Sequence, residues 1–207
     1  MAEKRLYTIG HSNHDLARLV HLLLSAGVTA VADVRSQPYS QRLPHFNRPE
    51  LERGLQSCAI AYLFAGHWLG GRPSQVQLYD DDGRVDYDRV RATAAFQQGL
   101  NEVCGALEQF TVAMLCSEED PLDCHRGLMI APALVERGIL PAHLRGDGTI
   151  ESTAEFEERL LGETGVGLGI LDGLFASMIT GQERRELLTE AYRSQARRKA
   201  FQMRDEG

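Results

Sequence analysis

Three short apolar runs, Leu6 to Ile9, Val28 to Val34 and Phe110 to Leu115, constrain this chain more than any other feature. Each is too short for a helix and apolar enough for a buried strand. The first two are joined by His14 to Ala26, where Leu16, Leu19, Val20, Leu23 and Leu24 follow the helical period, Asn13 or Ser12 offers a cap, and Gly27 a stop. A helical connection makes the two strands parallel and the crossover right-handed. After the second run a long loop, Ser36 to Arg48, leads to a short helix over Glu50 to Cys58 and a third strand over Ile60 to Phe64. Gly66 to Pro73 reads as a flexible glycine-rich turn, Asp80 to Gly83 as an acidic turn, and Asp88 to about Gln109 as one long helix. Past the strand at Phe110, a helix through Val135 ends at Arg137-Gly138, and Ile139 to Leu144 supplies a fifth strand. The expected fold class is α/β, a three-layer sandwich around a mostly parallel sheet.

Ligands of such sheets bind beyond the carboxyl ends of the strands. His11 and Ser12 follow the first strand, Asp33 and Arg35 close the second, Gly66 to Arg72 follow the third, and Cys116 to Arg126 the fourth, so one site is expected. In the last of these loops Pro121 excludes an early helix start and Asp123 is a good cap, which places Cys124, His125 and Arg126 in the first helical turn. Backbone N–H groups and the helix dipole there suit a thiolate or an anion. Cys124 is thus the candidate nucleophile or thiolate sensor, with Glu118 or His11 as the proton-transfer group. Glu118 lies two residues past Cys116 and shares its side of an extended chain. Arg35 and Arg126 are candidate anion clamps, and Asp33, Ser12 and His125 candidate substrate-binding positions. The bland alternatives are a packed Cys124, a core Cys116, and an ion network in which Arg35 and Arg126 pair with Asp33 and Glu118. Arg42, His45 and Arg48, interleaved with Tyr39 and Phe46, are a weak phosphate-contact signal. No metal is assigned: there is no Cys-x-x-Cys or His-x-x-x-His pair, and adjacent Cys124 and His125 on a helix project about 100° apart. The cofactor is left open, since phosphate-loop and dinucleotide signatures are absent.

The motifs Tyr7-Thr8-Ile9-Gly10-His11-Ser12, Asp33-Val34-Arg35, Leu69-Gly70-Gly71 and Cys124-His125-Arg126 occur in this order. Through them the chain resembles the bacterial domain-of-unknown-function family 488 over residues 5 to 150. The resemblance implies the fold, and it implies no assigned activity.

A net charge of −7 disfavours nonspecific binding of nucleic acid over the whole surface. Cys58, Cys104, Cys116 and Cys124 form no disulfide framework, the N-terminus shows no signal core, and the best membrane candidate, Val166 to Ile179, is short and broken by Asp172. The expected location is cytoplasmic, without a membrane partner. Residues 1–150 form the expected α/β domain and 151–207 a helical extension: a helix over Glu151 to Leu161, a hinge-like Gly162 to Gly173, and a helix over Gln182 to Met203. The apolar side of that last helix, Leu187, Leu188, Ala191 and Tyr192, is expected to dock on the domain or to form a homo-oligomer, away from the active pocket. Three functional readings follow. The leading one is an enzyme acting on a nucleotide or nucleic-acid-like anion; the others are a noncatalytic module for such a ligand and a structural assembly protein.

Overall fold

Strands β1 (Leu6–Gly10), β2 (Ala30–Asp33), β3 (Ala61–Phe64), β4 (Val112–Cys116), β5 (Ala142–Leu144) and β6 (Ile150–Glu151) form one sheet in the order β3-β2-β4-β1-β5-β6. All neighbours are parallel except the antiparallel β5–β6 pair. The computed structural model describes residues 5–167 and 180–203. Strand β6, two residues long, carries no periodicity and was not expected.

Side chains alternate across the pleat, and each face gathers its own core. Tyr7, Ile9, Ala113 and Leu115 pack under α1 (Leu16–Ser25) and α2 (Arg48–Gln56). Leu6, Val112, Met114 and Cys116 face the opposite layer: α3 (Gly66–Leu69), α4 (Tyr87–Arg91), α5 (Ala94–Ala106), α6 (Ala131–Val135), α7 (Thr153–Thr164) and α8 (Gly181–Lys199). The architecture is the expected α/β sandwich.

Several element boundaries differ from the sequence reading, each for a local reason. The cap of α1 is Asp15, whose carboxylate accepts from Arg18 N–H at 2.6 Å, because Ser12 sits in a left-handed turn (φ 49°) that delays the helix. The long pattern after Asp88 breaks into α4 and α5 at Thr93, whose hydroxyl caps the second helix by accepting from Phe96 N–H at 3.1 Å. The glycine-rich stretch after β3 forms the single turn α3, anchored by the buried Leu69. Helix α7 continues through Gly162 to Thr164, and the expected hinge beyond residue 167 lies outside the described residues.

The C-terminal helices share the core of the sheet's second face. Phe156, Leu160, Leu161 and Ala191 belong to the same cluster as Met114 and Leu100. Gln195, buried in α8, donates to the Leu122 carbonyl at 3.1 Å. The tail after α8 then pairs with the turn after Asp80: Val85 N–H donates to Phe201 O and Met203 N–H to Gly83 O. No helix among the described residues is long and apolar enough to cross a membrane.

His143 on β5 is buried beside Phe156, with Nδ1 2.7 Å from Thr8 Oγ1. Burial, reinforced by the charges of Arg126, Arg159 and Arg145, holds its pKa down to about 3 from the usual 6.5. The unfolded chain takes up this proton below pH 6.5 while the folded chain stays neutral, so stability present at neutral pH is lost as the pH falls toward about 3. The slope is up to ~1.4 kcal/mol per pH unit. Urea unfolding across this range is expected to show that slope in the wild type and a shallower one in His143→Asn, which keeps a polar atom near Nδ1; equal slopes would rule out His143 as the source.

Candidate functional site

Register brings three strand ends level, with Gly10 beside Cys116 and Asp33 beside Leu115. The chain leaves β2 toward β3 and leaves β4 toward β5 on the other side of β1, so the loops after these two neighbours diverge and a crevice opens. The cavity there measures about 980 Å³ and is lined by His11, Ser12, Arg35, Cys116, Glu118, Cys124 and His125 among others.

Within the loop after β4 the cap is Asp120, which accepts from Leu122 N–H at 2.9 Å and starts a 3-10 turn over Pro121–Asp123. Asp123 instead pairs with Lys199 at 2.7 Å. Because Pro121 nucleates its own turn, the chain straightens before turning again: Cys124 is extended (φ −135°, ψ 141°) and not in a first helical turn. Its carbonyl accepts from the N–H groups of Gly127 and Leu128, opening a π-helical stretch over Arg126–Ile130 that runs into α6.

That corner brings neighbouring side chains together. Cys124 Sγ lies 3.8 Å from His125 Nδ1, and Cys116 Sγ, at the end of β4, lies 3.7 Å from the same nitrogen. Glu118 Oε2 is 3.1 Å from Cys116 Sγ. The other ring nitrogen of His125, Nε2, is 3.0 Å from the Val34 carbonyl oxygen. A carbonyl only accepts, so Nε2 carries a proton and Nδ1 is the atom presented to the sulfurs. Gly71 makes room for the imidazole, since a Cβ there would stand 2.8 Å from His125 Cγ.

The charges of the cluster are set by its own members. Burial, with the Cys124 sulfur and Glu118, pushes the Cys116 thiol well above its ordinary pKa. Burial acts against ionisation of Cys124 too, but a hydrogen bond from Cys116 and the charges of Arg126 and His125 hold it well below the usual thiol range. His125 is raised: burial opposes protonation, and the Cys124 charge overcomes it. Burial and Cys124 also raise Glu118.

The two candidate arginines spend their donors on the protein. Arg126, 1% exposed, donates to the carbonyls of Glu118 at 2.6 Å and Glu119 at 2.5 Å and to Thr8 Oγ1 at 3.3 Å, and does not line the cavity. Arg35 lines it, yet Nε and Nη2 grip Asp33 at 2.9 and 2.7 Å while Nη1 donates to Phe46 O at 2.9 Å. Asp33, fully buried, also accepts from Tyr62 Oη at 2.8 Å. His11 donates from Nδ1 to Ser12 O at 2.8 Å, receives Arg35 Nη1 on Nε2 at 3.3 Å and stacks on Phe46. Arg35 thus forms the ion network foreseen as its structural alternative, whereas Arg126 meets the carbonyl of Glu118 and not its carboxylate.

Arg72, in the loop expected at this edge, lines the cavity, whereas Tyr87, Lys199 and Phe201 are lining residues that sequence reasoning missed. The C-terminal helix was expected to stay clear of the pocket, but packing of α8 brings Lys199 to it, and pairing of the tail brings Phe201, over which the Arg72 guanidinium lies at 4.6 Å. Nothing in the local sequence signals these approaches. Arg42 also lines the cavity and did carry a weak signal.

A family model described as domain of unknown function DUF488 matches residues 15–131, more than half of the chain. The chain belongs to the DUF488 family. The DUF488 match holds Asp33, Arg35, Gly71, Cys116, Glu118 and Cys124 through Arg126, while His11 and Ser12 precede it. Neither the curated proteins nor the solved structures contain a match to the chain. The DUF488 description assigns no activity.

Arg126 braces the loop from behind, so Arg126→Ala is expected to cost roughly 3 kcal/mol of stability by leaving two partly buried carbonyls and the buried Thr8 hydroxyl without their charged donor. Arg126→Lys should recover only part, because an ammonium cannot fork onto two carbonyls. Urea denaturation decides, and a loss under about 1 kcal/mol in the alanine variant would contradict the bracing role.

Proposed function

We propose that this DUF488 protein is an enzyme acting on a small anionic substrate of nucleotide size in the cavity at the carboxyl ends of β1, β2 and β4. One observation carries the reading: two buried sulfurs and a buried imidazole, with the exposed Glu118 carboxyl beside them, share a single cavity with exposed cationic side chains. The exposed Arg42 and Arg72 form no ion pair among the described residues, and the acidic neighbours Glu119 and Asp123 are neutralised by Arg145 and Lys199. The entrance is therefore locally positive although the chain is acidic, which favours a compact anion over a long polyanion. The volume falls at the upper end of the range for small-molecule sites.

In this reading the reaction centres on Cys124, with Cys116 and His125 beside it and Glu118 placed to move a proton. Arg126, Asp33, Arg35 and His11 act as positioning groups that hold the three loops. Ser12 contributes polar lining.

Calorimetric titration with nucleoside monophosphates and inorganic phosphate at low salt tests the binding half. Arg42→Glu and Arg72→Glu are each expected to weaken binding about tenfold or more, equivalent to ~1.4 kcal/mol. Affinity indifferent to both substitutions would sink the proposal. Conversion of bound ligands, followed by phosphorus NMR, is expected to vanish in Glu118→Gln while binding persists. Tight binding without conversion by the wild type would favour a noncatalytic module.

A further inference from the structure

Cys116, Cys124 and His125 are the group of ligand-type side chains, among the described residues, whose donor atoms converge: two Sγ and one Nδ1 all lie within 4.8 Å of one another. Zinc binds thiolate sulfur at about 2.3 Å and imidazole nitrogen at about 2.0 to 2.1 Å, and a tetrahedral angle between such bonds separates sulfur from nitrogen by about 3.6 Å. The observed separations are 3.7 Å for Cys116 and 3.8 Å for Cys124. Both sulfur–nitrogen separations thus stand within a few tenths of an ångström of the value for an ion shared between them, and the two sulfurs lie within 4.8 Å of each other.

The surroundings agree. A metal-bound histidine needs one nitrogen free and the other fixed by a donor–acceptor contact that sets the ring, and His125 gives its Nε2–H to the Val34 carbonyl while Nδ1 faces the sulfurs. All three residues line the cavity, so an ion held by them presents its remaining position to that space. Three protein ligands with one open position is the arrangement of zinc sites that do chemistry. Besides the missing paired-ligand spacing, the sequence argument against a metal rests on Cys124 and His125 being consecutive helical residues. The extended backbone at Cys124 removes that objection.

We infer that Cys116, Cys124 and His125 form a binding site for a zinc-class divalent cation whose fourth position opens into the cavity. Binding displaces two protons, one from the Cys116 thiol and the one held between Cys124 and His125, and takes both sulfurs as thiolates and His125 as the neutral imidazole. What the ion does rests on the proposed function above: its open position receives an oxygen of the anionic substrate or a water, beside Glu118. The binding itself does not depend on that reading.

The full-length chain, stripped with a chelator under thiol reductant, is titrated with Co²⁺ and then Zn²⁺. One equivalent of Co²⁺ is expected to produce sulfur-to-cobalt charge-transfer absorption with the visible bands of tetrahedral coordination, and Zn²⁺ to bleach both. Cys116→Ser and Cys124→Ser should each weaken binding by at least about a hundredfold, because even partners behind the ligands are worth 10 to 100-fold. Cys58→Ser and Cys104→Ser should have no effect. In the wild type, where folding is not in question, bound Zn²⁺ should shield Cys116 and Cys124 from alkylation and leave Cys58 and Cys104 reactive. Absence of the charge-transfer band at stoichiometric metal, or shielding that does not distinguish the two pairs of cysteines, overturns the site. Phosphate binding measured on stripped and loaded protein separates the two proposals. Arginine-dependent binding without metal uptake defeats the metal site alone, and metal uptake without phosphate binding defeats the functional reading alone.

Discussion

A guanidinium buried behind the sheet holds the site together. Arg126 closes the loop after β4 onto the end of β1 by donating to two successive carbonyls, at Glu118 and Glu119, and to Thr8. Taking this charge out of water is costly unless its donors are met, and carbonyl oxygens meet them without cancelling its charge. The residual positive charge then helps hold the Cys124 thiol below its usual range. Gly10 permits the close approach, since a side chain there would run into the Glu118 carbonyl. Through Thr8 the same brace reaches His143 and the core under α7.

The acidic loop is stable for a second reason. Its carboxylates are matched one by one from the C-terminal third of the chain: Glu119 by Arg145, Asp120 by Arg159 and Arg145, Asp123 by Lys199. Glu118 is the acid of that loop with no ion pair among the described residues, and it is the one turned toward Cys116. Neutralising its neighbours lets a carboxyl, two sulfurs and an imidazole share a small volume. The helices after residue 150 therefore contribute to the electrostatics of the site as well as to the core.

Motif order made the meeting of loops legible, because parallel strands joined by helices send every other connection to the same end of the sheet. Roles within the meeting were less legible. Asp33 and Arg35 read equally well as ligand contacts and as an ion pair, and only the bidentate geometry, with Phe46 and Tyr62 closing around it, shows where their bonds go. Asp123, a good cap by type, puts Cys124 on a helix by sequence, yet Asp120 before a proline captures the turn three residues earlier.

Local pattern, read by itself, determined the strand cores of β1, β2 and β4, the parallel α/β class and the gathering of Cys116, Glu118, Cys124 and His125 at one edge, because apolar periodicity and chain connectivity are properties of neighbours along the chain. Tertiary structure alone decided that Arg126 braces rather than faces the cavity, that Lys199 and Phe201 line it, and that two cysteines and a histidine converge at 3.7 to 3.8 Å. These outcomes depend on which helix packs where and on a single corner between an extended and a helical residue. Such long-range packing leaves no periodic trace in the sequence.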